Sequence, residues 1–372
     1  MKLLIVVIAV VLMTWKVEAN WVKEMENPGL YEGDMVLSPD QMKEVKQGTF
    51  TFSSTSKKNK LWPNGVVPYT VNSDLARESE FKREFDIAIA QYHKYTCLRF
   101  KKRTNEGGYI NFYKGGGCSS PVGYGGRRNG VSLSKGCWWR TTIMHEIAHS
   151  LGFHHEQSRP DRDNYVKILT HNIHSGTEHN FRKQNSYDVD SKGTPYDYLS
   201  MMHYSWNAFG KDQRMTIQTK DQSMQYEIGQ DEGFSHIDIE QINRLYGCTG
   251  TYPTLPPYVK PPPGCYDLGG ACVKGAWEGN CNKREWKSYM HSKCRKSCKL
   301  CGGGPRPSGT PVTLPPWSEP TTKSTTKKTG GGGNCRDRVV DCQRLGKHRC
   351  TDSNPVWKDY MERNCKKYCN KC

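Results

Sequence analysis

Two histidines four residues apart stand in the run His145-Glu146-Ile147-Ala148-His149-Ser150-Leu151-Gly152-Phe153-His154-His155. On an α-helix that spacing puts both imidazoles on one face, where their ring nitrogens converge on one point. Ile143, Ile147 and Leu151 share another face of the same helix and supply its apolar side. Gly152 is suited to stop the helix in a left-handed cap, after which the chain can turn and bring His155 back to the same point. Three neutral imidazoles leave the fourth position of a tetrahedral ion to water, which distinguishes a catalytic zinc from a structural one. Glu146, beside the first histidine, is placed to take a proton from that water. The residues therefore predict one zinc ion held by His145, His149 and His155, with Glu146 as the general base.

Such a helix needs a core to hold it. Trp62-Pro63-Asn64-Gly65 is a turn, and Val66 to Val71 after it is rich in β-branched residues, which predicts a strand. Phe81, Phe85, Ala88 and Tyr92 recur at helical spacing, and Tyr109 to Tyr113 predicts a short strand before a run of three glycines. Ser235 with Asp238 three residues later is a helix start; Ile239, Ile242 and Leu245 follow, and Gly247 ends it. Helices and strands mix without regular alternation, which predicts an α+β fold rather than a doubly wound sheet.

The chain has 372 residues, enough for more than one folded unit. Its 11% aromatic residues exclude wholesale disorder, and 35% hydrophobic residues are too few for a polytopic membrane protein. From Cys265 onward there are 22 Lys plus Arg against 9 Asp plus Glu, so the tail carries +13 of the net +17. That distribution weighs against a nucleic-acid-binding reading of the whole protein, since the basic surface belongs mainly to the tail.

Sixteen cysteines fall into four scattered positions (Cys97, Cys118, Cys137, Cys248) and two sets of six. Even counts in short polar segments predict disulfides and an oxidising compartment. Lys2 precedes an apolar run from Leu3 to Met13, with Val17 and Ala19 before a cut at Asn20. This predicts a signal peptide over 1–19, too short for a transmembrane segment, and a secreted, extracellular protein. No Asn-x-Ser/Thr sequon occurs. A polar pro-segment is expected over 20–60 and the catalytic domain over 61–248. A Pro-rich, extended linker over 249–264 and a looser Pro/Thr/Gly-rich one over 302–334 each precede a cysteine-rich module, 265–301 and 335–372. The modules repeat Cys-x-Asp at the start (Cys265/Asp267, Cys335/Asp337) and Cys-x-x-x-Cys-x-x-Cys at the end (Cys294/Cys298/Cys301, Cys365/Cys369/Cys372). At under 40 residues their folds must rest largely on disulfides.

The zinc helix together with Glu156-Gln157-Ser158-Arg159-Pro160-Asp161-Arg162-Asp163 and Ser200-Met201-Met202-His203-Tyr204 resembles the astacin family of metzincin zinc endopeptidases. The resemblance implies a metzincin-type domain, with a twisted sheet and the active-site helix, that is made as a zymogen. Met202 would be the apolar floor beneath the zinc. Tyr204 would be a switchable metal ligand whose hydroxyl stabilises the oxyanion. It further implies the pairs Cys97–Cys248 and Cys118–Cys137. Tyr31-Glu32-Gly33-Asp34-Met35 resembles the family's aspartate switch, with Asp34 as the latency ligand. Lys57, Lys58 and Lys60 offer basic sites for the activation cut, after which the new N-terminus would bury near Glu156.

The tail modules resemble the sea-anemone-toxin-like ShKT fold. That resemblance implies Cys265–Cys301, Cys272–Cys294 and Cys281–Cys298 in the first, and Cys335–Cys372, Cys342–Cys365 and Cys350–Cys369 in the second. Channel-blocking members carry Lys-Tyr before the fourth cysteine, where this chain has Ser288-Tyr289 and Asp359-Tyr360. The leading expectation is a monomeric, secreted zinc metalloendopeptidase that cleaves extracellular protein or peptide substrates with zinc-activated water. Its ShKT modules would engage a matrix, cell-surface or channel partner. The rival reading is a venom or matrix binding protein, held in a secretory or venom organelle, whose modules act on a channel or extracellular partner.

Overall fold

The computed structural model describes residues 26–27, 29–47, 60–184, 193–262, 264–268 and 272–301. The expected signal peptide, Lys57 and Lys58, the 302–334 linker and the second module with its three disulfides lie outside the described residues.

Six strands form one mixed sheet: β1 (Met35–Val36), β2 (Val66–Val71), β3 (Arg99–Lys102), β4 (Tyr109–Tyr113), β5 (Cys118–Pro121) and β6 (Arg128–Leu133), in the spatial order β1-β5-β6-β4-β2-β3. All neighbours run parallel except β5 and β6. The edge strand β1 belongs to the expected pro-segment, which continues into a helix α1 (Pro39–Gln47). Met35 pairs with Ser120 and Val36 with Pro121.

Against the sheet packs α2 (Ser79–Tyr95), which buries Phe81, Phe85, Ala88 and Tyr92 at the predicted spacing. The zinc-helix segment is α3 (Arg140–Leu151), and every residue from Thr141 to Leu151 is buried. The apolar residues Ile143, Ile147 and Leu151 sit in the main core with Val67, Ile110, Phe112 and Val131. The histidine-bearing face is buried as well, under the pro-segment.

A second core gathers Tyr196, Tyr198, Leu199, Phe209, Ile217 and Met224, next to a two-stranded sheet of β7 (Val166–Ile168) and β8 (Ile217–Thr219). Helix α4 (His236–Tyr246) starts in a complete capping box, in which Ser235 Oγ accepts from Asp238 N and Asp238 accepts from Ser235 N. Its buried apolar residues are Ile237, Ile242 and Leu245, while Ile239 is half-buried at the edge of the main core. The architecture is α+β.

Cys97 is joined to Cys248 and Cys118 to Cys137. The first bond spans 151 residues, and in the chain-entropy model a loop of that size stabilises by about 5 kcal/mol. Replacing both Cys97 and Cys248 by Ala is expected to lower the denaturant midpoint sharply, with up to that much stability lost. An unchanged midpoint would show that the bond adds nothing to stability.

The first module holds helices α5 (Cys272–Trp277) and α6 (Lys287–Lys293), with Cys265–Cys301, Cys272–Cys294 and Cys281–Cys298 joined. Its own apolar core is small, centred on Cys272, Met290 and Cys294. Among its described residues the Pro-rich linker has no helix or strand, and it is not a free spacer. Leu255 is buried in the main core and Tyr258 in the second, so the linker is packed down along the catalytic domain. Among the described residues no helix is long and apolar enough to cross a membrane.

Candidate metal centre

Gly152 closes α3 with φ 105°, and the reversed chain is fixed by Gly152 N donating to His149 O (2.8 Å) and Phe153 N to Ala148 O (3.0 Å). A Cβ at Gly152 would meet nothing within 4 Å. The requirement for glycine is therefore the dihedral and not space. The turn brings His155 to within ring contact of His145 and His149, with centroids 5.2 and 4.9 Å away.

Each of the three imidazoles is oriented through its Nδ1. His145 Nδ1 lies 2.8 Å from Met201 O, His149 Nδ1 2.8 Å from Phe153 O, and His155 Nδ1 2.9 Å from Glu32 Oε2. Carbonyl and carboxylate oxygens only accept, so each Nδ1 is the protonated nitrogen and each Nε2 is left with a lone pair. The three Nε2 atoms face one another, His145 being 3.1 Å from His149 and 3.2 Å from His155. Lone pairs so arranged repel unless a cation joins them. Tetrahedral coordination with zinc–nitrogen bonds of ~2.0–2.1 Å gives ligand separations of about 3.3–3.4 Å, so the donor set fits zinc.

A fourth donor is present. Asp34 Oδ2 lies 3.2 Å from both His145 Nε2 and His155 Nε2, and Oδ1 3.3 Å from His149 Nε2. The four ligand atoms are all within 4.8 Å of one another. Asp34 is delivered by a turn in which Glu32 (φ 46°) and Gly33 (φ 82°) are both left-handed, and its backbone carbonyl accepts from Ser120 N at 2.9 Å. Burial opposes the Asp34 charge, but His155 and His149 outweigh it and hold the carboxyl well below the usual range. His149 is lowered to about 4, chiefly by burial, which keeps its ring neutral.

Glu146 is fully buried, and neither carboxylate oxygen has a hydrogen-bond partner among the described residues. Burial first, and Asp34 second, push its carboxyl well above the usual range. A buried carboxyl without an internal partner is arranged to take one from outside the chain. Tyr204 packs its ring on His155 (4.6 Å between centroids) and takes its backbone position from Gln157 Oε1, which accepts Tyr204 N–H at 2.9 Å. Its hydroxyl donates to the backbone carbonyl of Glu32. Burial, then Asp34, raise the phenol well above its ordinary value and keep it a neutral donor.

Met202 is buried in the main core, and its carbonyl accepts Glu156 N–H at 3.0 Å. Glu156 Oε1 accepts from Asp197 N (2.7 Å) and lies 3.3 Å from Arg159, while burial raises the carboxyl to about 7. The described residues to which the sequence assigned a part in the metal chemistry thus lie at or next to the three-nitrogen cluster. Sequence reasoning missed the groups that orient them: the Met201 and Phe153 carbonyls, Gln157 and Glu32. Only Glu32 carried a signal, being a carboxylate two residues from Asp34.

Beside His145 a pocket opens between Thr141 and Thr142 of α3 and the segment Gly229-Gln230-Asp231. Glu26, in the expected pro-segment, also lines it, and its Oε1 accepts from Phe209 N at 2.7 Å.

Residues 54–247 match the peptidase family described as Astacin, and residues 264–301 and 334–372 match the description ShK domain-like. The chain is similar to Zinc metalloproteinase nas-6 of Caenorhabditis elegans, at 33% identity over 75% of this chain and 86% of that one. It is similar to Blastula protease 10 of Paracentrotus lividus at 38% identity, over 59% of this chain but only 38% of the relative's length. Among solved structures, high choriolytic enzyme 1, a hatching enzyme zinc-protease from the medaka Oryzias latipes, is 36% identical, with a TM-score of 0.48 over 52% of this chain and 98% of that one.

Proposed function

The chain belongs to the astacin family of zinc metalloendopeptidases, and from that premise we propose that it is secreted as a zymogen and hydrolyses peptide bonds of extracellular proteins. The observation that carries this is the buried set of three inward-facing imidazole nitrogens with the Asp34 carboxylate in the fourth position. His145, His149 and His155 hold the zinc, which supplies a Lewis acid for a bound carbonyl and acidifies water.

Glu146 acts as the base. Its unpartnered, buried carboxylate takes a proton from the attacking water and returns it to the leaving amine nitrogen, so that it ends the cycle as it began. Tyr204 donates its hydroxyl to the oxyanion. Its bond to the Glu32 carbonyl supports this, because it shows the hydroxyl donating to a backbone carbonyl oxygen beside the metal-holding histidines. Met202, buried in the main core, would serve as the apolar floor beneath the zinc.

In this reading residues 1–19 direct secretion, 20–60 hold the enzyme latent, 61–248 do the chemistry, and 265–301 and 335–372 are binding modules. Five disulfides among the described residues support an extracellular setting. Treating the activated enzyme with phenanthroline is expected to abolish peptide hydrolysis, and one equivalent of zinc per chain to restore it. Hydrolysis that persists after the metal is removed would refute the assignment.

A further inference from the structure

The first cysteine-rich module grips the catalytic domain at three places. Trp277, at the end of α5, lies under two guanidinium groups, Arg83 at 4.6 Å and Arg140 at 5.1 Å from the ring centroid. Arg140 also covers Trp139 at 4.4 Å, and the two tryptophan rings are 6.1 Å apart. Lys274 Nζ is 2.6 Å from Glu80 on α2. Lys296 Nζ sits between two acidic side chains, 2.7 Å from Glu227 Oε2 and 3.1 Å from Glu232 Oε1, with the three side chains only 12%, 3% and 11% exposed.

Two of these places border the same pocket. Trp139 and Arg140 begin α3, whose next residues Thr141 and Thr142 form one wall. Glu227 and Glu232 bracket Gly229-Gln230-Asp231, the opposite wall. Tyr266 of the module adds a stack on Tyr226 with centroids 4.4 Å apart, and Tyr258 of the linker donates to Glu227 at 3.0 Å. The two walls meet where Trp139 Nε1 (2.9 Å) and Thr141 Oγ1 (2.6 Å) both donate to the carbonyl of Asp231.

We propose that this module is a positioning clamp for the substrate pocket: it holds the start of the metal-binding helix and the 226–232 segment in register, and so governs which substrate side chain the pocket takes. The chemistry of the contact supports a structural hold. Lys296 is the cation between two largely buried carboxylates, and removing it takes away the charge that offsets their mutual repulsion. The segment they bracket would then move away from α3. The other anchor is a stack of two arginines and two tryptophans, open to solvent at Trp277 and Arg83 and closed at Trp139, in which the guanidinium groups lie over the rings. Lys296 and Trp277 touch neither substrate nor metal, so they act through the walls.

The proposal rests on the peptidase reading for its kinetic readout alone. The test uses full-length protein with Lys296→Met, Trp277→Ala or Lys296→Arg. Amide hydrogen exchange over 226–232 is followed in the intact zymogen. In the activated enzyme, kcat/KM is compared for two peptides that differ only at the residue for which the native enzyme discriminates most. Lys296→Met and Trp277→Ala are expected to speed exchange in this segment and to reduce the preference about tenfold. Lys296→Arg, which keeps the charge between the two glutamates, is expected to retain both.

Native exchange and native preference in Lys296→Met and Trp277→Ala would overturn the clamp. So would faster exchange with an unchanged preference, which would make the contact a mere tether. A fold lost in one variant leaves the other, on the opposite wall, to decide. Absence of peptidase activity in the native protein would refute the proposed function, and the exchange comparison would still decide whether the module holds the walls.

Discussion

Glu146→Gln is expected to bind one zinc per chain, as the native protein does, and to hydrolyse peptides ~10²–10⁴-fold more slowly. The substitution keeps the size of the side chain, so α3, buried on every side here, has no reason to repack. The metal-holding set is likewise untouched, because Glu146 holds none of His145, His149 and His155: its carboxylate oxygens have no hydrogen-bond partner among the described residues. What disappears is a basic oxygen. An amide cannot take the proton from water, and the amine would have to leave unassisted. Metal content measured beside kcat separates the two possibilities. A protein that loses zinc would make Glu146 a support for the site, and one that keeps full kcat would remove it from the mechanism.

The second large effect is in latency. Intact, uncleaved Asp34→Ala is expected to hydrolyse peptides faster than intact native zymogen, with a gain of up to about 100-fold if the native cleft is open in about 1% of molecules. Asp34 faces all three ligand nitrogens with its carboxylate, yet its backbone is held by Ser120 N and by the pairing of β1 with β5. Alanine removes the carboxylate and leaves only the backbone contacts and those of Glu32 with His155 and Tyr204 to hold the pro-segment, so the cleft is open in a larger share of the molecules. Residual latency in Asp34→Ala therefore measures what the covering strand contributes alone. Equal latency in the two zymogens would show that Asp34 is not the switch.

The metal-holding residues were legible because helix geometry turns a spacing of four into a shared face, and because a left-handed glycine followed by a third histidine has few other uses. The groups that aim them were not. Two are backbone carbonyls, which every residue possesses, and the third, Glu32, reaches His155 only through two consecutive left-handed residues. At the linker, composition spoke only to the lack of helix or strand; Leu255 and Tyr258, two apolar anchors in a Pro-rich stretch, decide that it lies along the domain. Lys296 was legible only as one more tail charge, since its partner Glu227 is 69 residues away in the chain.

The bond between Cys97 and Cys248 bears on how the enzyme ages. It ties β3's entry to the residue just before the linker, so most of the catalytic chain lies inside one covalent ring. A peptidase at high local concentration meets other copies of itself, and a cut anywhere between residues 97 and 248 opens that ring without dividing the molecule. The tail stays attached, and the severed ends remain close enough for the surrounding packing to hold them in place. Self-digestion of this kind would appear as fragments on a reducing gel and as a single full-mass band on a non-reducing one.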